Sequence, residues 1–148
     1  KETDPDIGIP ISAEIEDNRI KNIEEILVHT KNKKANHGEG KLYASVLKNV
    51  NFISSYKFAK KIQEKGIIPY GPFVPKGSNC SRFVSATIRK SNPSLIKNLR
   101  LQFPFSLSPS PKRNVSISNN NYYVIEKNKF EKIKRNKING YFRGIERK

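Results

Sequence analysis

The 148-residue chain contains one cysteine, two histidines and no methionine. A lone cysteine excludes an internal disulfide. One cysteine and two histidines, without a dense carboxylate cluster, do not match a zinc site. Gly38, Gly40 and Lys41 lack the full spacing of a phosphate loop. No metal and no cofactor are therefore expected. No apolar run approaches the length that spans a bilayer, and no secretory signal is visible. A chain that starts at Lys1 without any methionine is expected to be a mature, trimmed or excised form.

The residues present are those of a folding chain. Apolar residues make up 35% and charged residues 28%. That composition argues against wholesale disorder and fits one modest core. The formal net charge is +16. Such a charge suits a polyanion such as nucleic acid, an anionic membrane or an acidic protein partner. It also suits an AT-rich genome, which encodes Lys, Asn and Ile freely. Cations thicken at the end, where Lys127, Lys129, Lys132, Lys134, Arg135 and Lys137 have Phe130, Tyr141 and Phe142 for company.

Three segments are expected: an extended lead-in over 1–12, a folded domain over 13–126 and a basic segment over 127–148. Residues 15–30 fit either a helix or a buried strand. Residues 41–47 read as a strand. Residues 51–65 read as a helix, capped by Asn51 and ended by Gly66, with Phe52, Tyr56, Ala59 and Ile62 near one face. Three prolines make 67–75 a loop. A second helix runs over 80–90 and stops before Asn92-Pro93. Residues 99–105, 114–118 and 122–126 read as strands, the last two joined by an Asn119-Asn120-Asn121 turn. Residues 130–137 read as a short helix. The pattern predicts an α+β domain.

The segment Gly77-Ser78-Asn79-Cys80-Ser81-Arg82-Phe83-Val84 carries the chemistry. Gly77 and Ser78 read as a turn and cap, so Cys80 falls in the first turn of a helix. Unpaired backbone N–H groups and the helix dipole favour a thiolate at such a place. His37 sits among glycines in Asn36-His37-Gly38-Glu39-Gly40, and His29 ends Ile26-Leu27-Val28-His29. Either imidazole titrates in the range a general base needs. A buried structural cysteine and two incidental histidines are the bland alternative.

Asn79-Cys80-Ser81-Arg82-Phe83-Val84 resembles the Asn-Cys-x-x-Phe-Val signature of the lecithin:retinol acyltransferase and phospholipid acyltransferase group. That group belongs to the circularly permuted branch of the papain-like superfamily, with the NlpC-type hydrolases. The resemblance implies a permuted papain-like domain, its nucleophile helix packed on an antiparallel sheet, with the histidine before the cysteine. The histidine-led strand motif of the group is absent around both histidines.

The resemblance implies hydrolysis or transfer of an amide or ester acyl group through a Cys80 thioester. His37 is the expected base and His29 the fallback. Glu39 and Asn114 are both open as the third, orienting group. The oxyanion would bind the Cys80 backbone N–H and a donor from the preceding loop, for which Tyr70 offers its hydroxyl; Tyr70 packing that loop is the simpler role. Arg82 is a candidate for an anionic substrate group, with a structural surface role as the default. The alternative reading is an inactive scaffold or a subunit of a larger assembly. In it Lys132, Lys134 and Arg135 hold nucleic acid or an acidic partner.

Overall fold

The computed structural model describes residues 8–34, 39–71, 74, 77–103, 109–127, 129–136, 138 and 145. Its elements run β1 (Ile15–Glu16), β2 (Arg19–Ile20), α1 (Ile23–Lys31), β3 (Leu42–Ala44), α2 (Phe52–Glu64), α3 (Cys80–Lys90), α4 (Leu95–Gln102), α5 (Pro111–Ser118), β4 (Tyr122–Glu126) and β5 (Lys129–Ile133). The class is α+β, as expected. No described helix is long and apolar enough to cross a membrane. The chain divides into two compact units, residues 1–44 with 122–133 and residues 45–121 with 134–148.

The first unit is built on small sheets. β1 and β2 pair antiparallel across Asp17 and Asn18, both at positive φ. Two consecutive residues in that region make a two-residue hairpin turn, and Asp and Asn tolerate it best. The second sheet is antiparallel, ordered β3-β4-β5, with Leu42 and Phe130 both opposite Ile125. Ile125 is fully buried. The ambiguous stretch over 15–30 resolves into the β1-β2 hairpin and α1. Glu24 and Glu25 open α1, and His29 and Lys31 close it, which matches its dipole.

The expected helix over 130–137 is instead strand β5. Its period is two: Phe130 stacks on Tyr123 at 5.4 Å between ring centres, while Lys129 and Glu131 face solvent. Pairing with β4 outweighs a weak helical preference.

The second unit is helical. Asn51 caps α2, its Oδ1 accepting from Ser54 N at 3.0 Å. The packed face of α2 is Ser55, Phe58, Ala59 and Ile62, so the expected inner residues Phe52 and Tyr56 lie outside. Within this unit α3 packs against α2, α4 and α5.

Two expected strands prove to be helices. Residues 99–105 alternate as Leu99, Leu101 and Phe103, yet α4 runs to Gln102. In it Leu101 alone is buried, and Leu99 and Phe103 share the outer face four residues apart. Residues 114–118 belong to α5. Ser110 caps it by accepting from Arg113 N at 3.1 Å, and Pro111 occupies its first turn. Ser-Pro here starts a helix, where its fixed φ and missing N–H cost nothing. Asn119-Asn120-Asn121 therefore links α5 to β4 rather than two strands.

Candidate active site

The approach to Cys80 is a folded-back loop. Ser78 N donates to Pro69 O at 2.9 Å and Gly71 N to Ser78 O at 3.1 Å, a parallel bridge between Tyr70 and Ser78. Gly77 closes the loop, donating to Val74 O at 2.9 Å. A Cβ at Gly77 would stand 2.8 Å from both Pro69 O and Val74 Cβ, so only glycine fits. Asn79 follows in extended conformation and caps α3, its Oδ1 accepting from Arg82 N at 2.8 Å and its carbonyl from Phe83 N at 2.9 Å.

Cys80 is the first residue of α3, and it is exposed. The N–H groups of Cys80 and Ser81 have no acceptor inside the helix, because the ladder begins further on. They present a donor pair beside the sulfur, at the positive end of the helix dipole.

Tyr70 brings its hydroxyl to 4.0 Å from Cys80 Sγ, the outer limit for a hydrogen bond to sulfur. Tyr70 is 74% exposed. Cys80 raises the Tyr70 pKa above its ordinary value, first through that hydrogen bond and then through charge. Either the hydroxyl or the thiol can be the donor in this contact.

Beneath Cys80 lies a cavity of about 350 Å³. Cys80, Ser81, Val84 and Ile88 form the α3 wall, and Pro111, Asn114, Val115 and Ser118 the α5 wall, with Ser45 and Leu47 completing it. Each helix contributes one stripe: 80, 84 and 88 on α3, and 111, 114, 115 and 118 on α5. The size and apolar lining suit a small ligand group. Ser45 Oγ donates to Val115 O at 2.8 Å and Asn119 Nδ2 to Val46 O at 2.7 Å, fixing this segment against α5.

Asn114 ties the walls together. It is 2% exposed, and its Nδ2 donates to Ser81 O at 2.8 Å. A carbonyl only accepts, so the amide nitrogen must be the atom facing Ser81. Its Oδ1 is buried and has no partner among the described residues. Of the two open candidates for a third group, Asn114 lines the cavity with Cys80, while Glu39 is exposed in the first unit. Residue-by-residue reading missed this stripe because 114–118 looked like a strand. The 111, 114, 115, 118 spacing was the available signal.

The other candidates belong to several elements. His29 lies in the last turn of α1 in the first unit, half-buried, with Nε2 buried and without a partner among the described residues. Of the two readings left open for residues 15–30, the helical one places His29. His37 falls outside the described residues. Arg82 is half-buried on α3, its backbone N–H taken by the cap. Lys132 and Lys134 are exposed.

Arg135 is anchored. Its guanidinium donates to Asn120 O at 2.6 Å, Ser116 Oγ at 3.0 Å, Asn119 O at 3.1 Å and Ser116 O at 3.3 Å. It binds the carbonyls that α5 and the following loop leave unpaired, which is a structural task. No group of three or more His, Cys, Asp or Glu that could hold a metal occurs among the described residues.

Comparison with known proteins gives one family. Residues 1–95, which include Cys80 and both histidines, match the model described as "Type VI secretion system effector TseH-like". No curated protein and no solved structure matches the chain. The match covers more than half of the sequence, and the chain belongs to the TseH-like type VI secretion system effector family.

Proposed function

We propose that this effector is a thiol-dependent hydrolase or acyltransferase acting on an amide or ester. One observation carries the reading: an exposed cysteine opens a capped helix at the mouth of a cavity. The family match and the NlpC-type resemblance of residues 79–84 support the same chemistry.

In this reading the Cys80 proton passes to an imidazole, His37 first and His29 as the fallback. The thiolate attacks the acyl carbon and a C–S bond forms. The carbonyl oxygen becomes an oxyanion held by the Cys80 and Ser81 N–H groups, with Tyr70 O–H as a further donor. The C–N or C–O bond then breaks, and the leaving amine or alcohol takes the proton from the imidazolium. Water or an acceptor amine attacks the thioester, giving its proton to the imidazole. The acid or new amide leaves, and the Cys80 thiol is restored.

Intact-mass measurement after incubation with a panel of activated esters and amides tests this directly. The expected result is an acyl adduct on Cys80, released by hydroxylamine and absent from Cys80→Ala. Turnover retained in Cys80→Ala, or no adduct with any member of the panel, would overturn it.

A further inference from the structure

α4 is amphipathic with its larger apolar stripe turned outward. Leu95, Ile96, Leu99 and Phe103 are all exposed, Leu95 at 73% and Phe103 at 63%. α2 does the same at its start, where Phe52 is 73% and Ile53 64% exposed, and Tyr56 stacks on Phe52. The end of α3 links these two starts. Asn51 N donates to Ser91 O at 2.7 Å, which places the first turn of α2 at the end of α3, four residues before Leu95. An exposed apolar cluster of this kind marks a contact surface.

Charge selects the partner. The unit that carries α2 and α4 holds 19 Lys and Arg and only two acids, Glu64 and Glu146. A second copy would bring the same charge and be repelled. The cations beside the apolar residues of α2 are lysines, Lys57, Lys60 and Lys61, all exposed. Lysine is depleted at protein–protein interfaces, whereas lysine flanking Phe, Ile and Leu is the pattern of helices that lie in an anionic bilayer surface. Long lysine stems let the ammonium reach headgroups while the apolar residues insert.

We propose that the starts of α2 and α4 form a docking surface for an anionic lipid bilayer. Phe52, Ile53, Leu95 and Ile96 enter the interface, and Lys57, Lys60 and Lys61 contact acidic headgroups. Cys80 lies at the opposite end of α3, about 16 Å away for eleven residues of helix. Docking and thiol chemistry are therefore separable.

Co-sedimentation of the 148-residue chain with vesicles tests this. One set contains equal parts phosphatidylglycerol and phosphatidylcholine, the other phosphatidylcholine alone, each at low and physiological salt. Expected is binding to the acidic vesicles only, weakened by salt and unchanged in Cys80→Ala. Phe52→Ser with Ile53→Ser, and separately Leu95→Ser with Ile96→Ser, should each lower it about tenfold or more. All four side chains are exposed, so circular dichroism should show an unaltered fold. Lys57→Gln with Lys60→Gln and Lys61→Gln should weaken binding and flatten its salt dependence. No binding to acidic vesicles at low salt, equal binding to both vesicle types, or apolar variants that bind like the parent would overturn the proposal. So would capture of an acidic protein or DNA without vesicle binding.

Discussion

The two units differ most in charge. Residues 1–44 with 122–133 hold 10 Lys and Arg against 11 Asp and Glu, so they are nearly neutral; residues 45–121 with 134–148 hold 19 against two. The whole excess of +16 therefore lies in the helical unit. A codon bias raises lysine everywhere and does not sort the acids into one unit. Their handling of cations differs too. In the first unit Lys41 pairs with Glu126 at 3.0 Å at the surface. In the second, cations bind backbone carbonyls: Lys97 donates to Ser118 O at 2.8 Å, Arg113 to Arg100 O at 2.6 Å, and Arg135 to carbonyls at the end of α5. With acids scarce, helix C-termini supply the negative partners. Part of the positive charge is thus internal fastening, while lysines such as Lys57, Lys60, Lys61 and Lys134 are exposed.

The largest expected effect falls on the helical unit alone. Cys80→Ala should remove thiol-dependent activity by about 10³-fold or more. Because Cys80 is exposed, the variant should unfold within about 0.5 kcal/mol of the parent in urea. Activity surviving this change would move the chemistry elsewhere.

The histidines come next. Loss of general-base assistance costs on the order of 10²–10⁴ in rate. His37→Ala should show such a loss and His29→Ala much less, measured as acyl transfer at fixed pH. The reverse ranking would give the role to His29, whose Nε2 is buried without a partner among the described residues. Two negligible effects would leave Cys80 without a histidine base and favour the inactive scaffold.

Fastening and surface charge separate in a third test. Arg135→Ala leaves buried carbonyls without donors and should lower unfolding stability by about 1–3 kcal/mol. Lys132→Ala and Lys134→Ala alter exposed side chains and should stay within about 0.5 kcal/mol. Equal effects would end the distinction. An Asn114→Ala change belongs with Arg135→Ala, since it removes the donor to buried Ser81 O. Gly77→Ala tests the loop: its Cβ must displace backbone, so a loss of about 1–3 kcal/mol is expected, together with loss of the Tyr70 contact.

The smallest effect is in alkaline pH dependence, where the units should oppose each other. Glu126 holds the Lys41 pKa above 10.5, through its hydrogen bond and then its charge. That stabilisation is present below the unfolded value and is lost as pH rises through the folded one. Burial holds the Lys97 pKa below 10.5, so the unfolded chain binds more protons in that window and stability rises with pH up to about 10.5. Lys97→Met should abolish the rise below 10.5, and Lys41→Met the fall above it, in urea midpoints against pH. Slopes unchanged by either substitution would refute these assignments.

The legible parts of the sequence were those with local causes. Asn51 caps α2 where its position before an amphipathic run suggested, whereas the cap of α3 is Asn79, one residue beyond the expected Ser78, because its side chain reaches Arg82 N. Asn92 at positive φ before Pro93 ends α3 as a turn signal should. The cysteine at a helix start followed from these signals alone. Short apolar runs were not legible in the same way. The alternation of Leu99, Leu101 and Phe103 fits a strand, yet Ser94 after Pro93 starts a helix there. Phe130 is placed by Tyr123, seven residues earlier on the paired strand, a cross-strand contact that helical or strand periodicity within 130–137 does not register.

By itself the sequence determined the α+β class, the Asn51 cap of α2, the helix from Cys80 to Lys90 and the scarcity of acids after residue 45. Each follows from neighbours a few residues apart. Tertiary structure decided the rest. It set Asn114 of α5 against Ser81, formed the cavity beneath Cys80, committed Arg135 to carbonyls 15 to 19 residues away, and turned Phe52 and Leu95 outward. Which face of an amphipathic segment is buried depends on what packs against it. That partner is chosen by contacts between segments far apart in the chain, where local spacing carries no information.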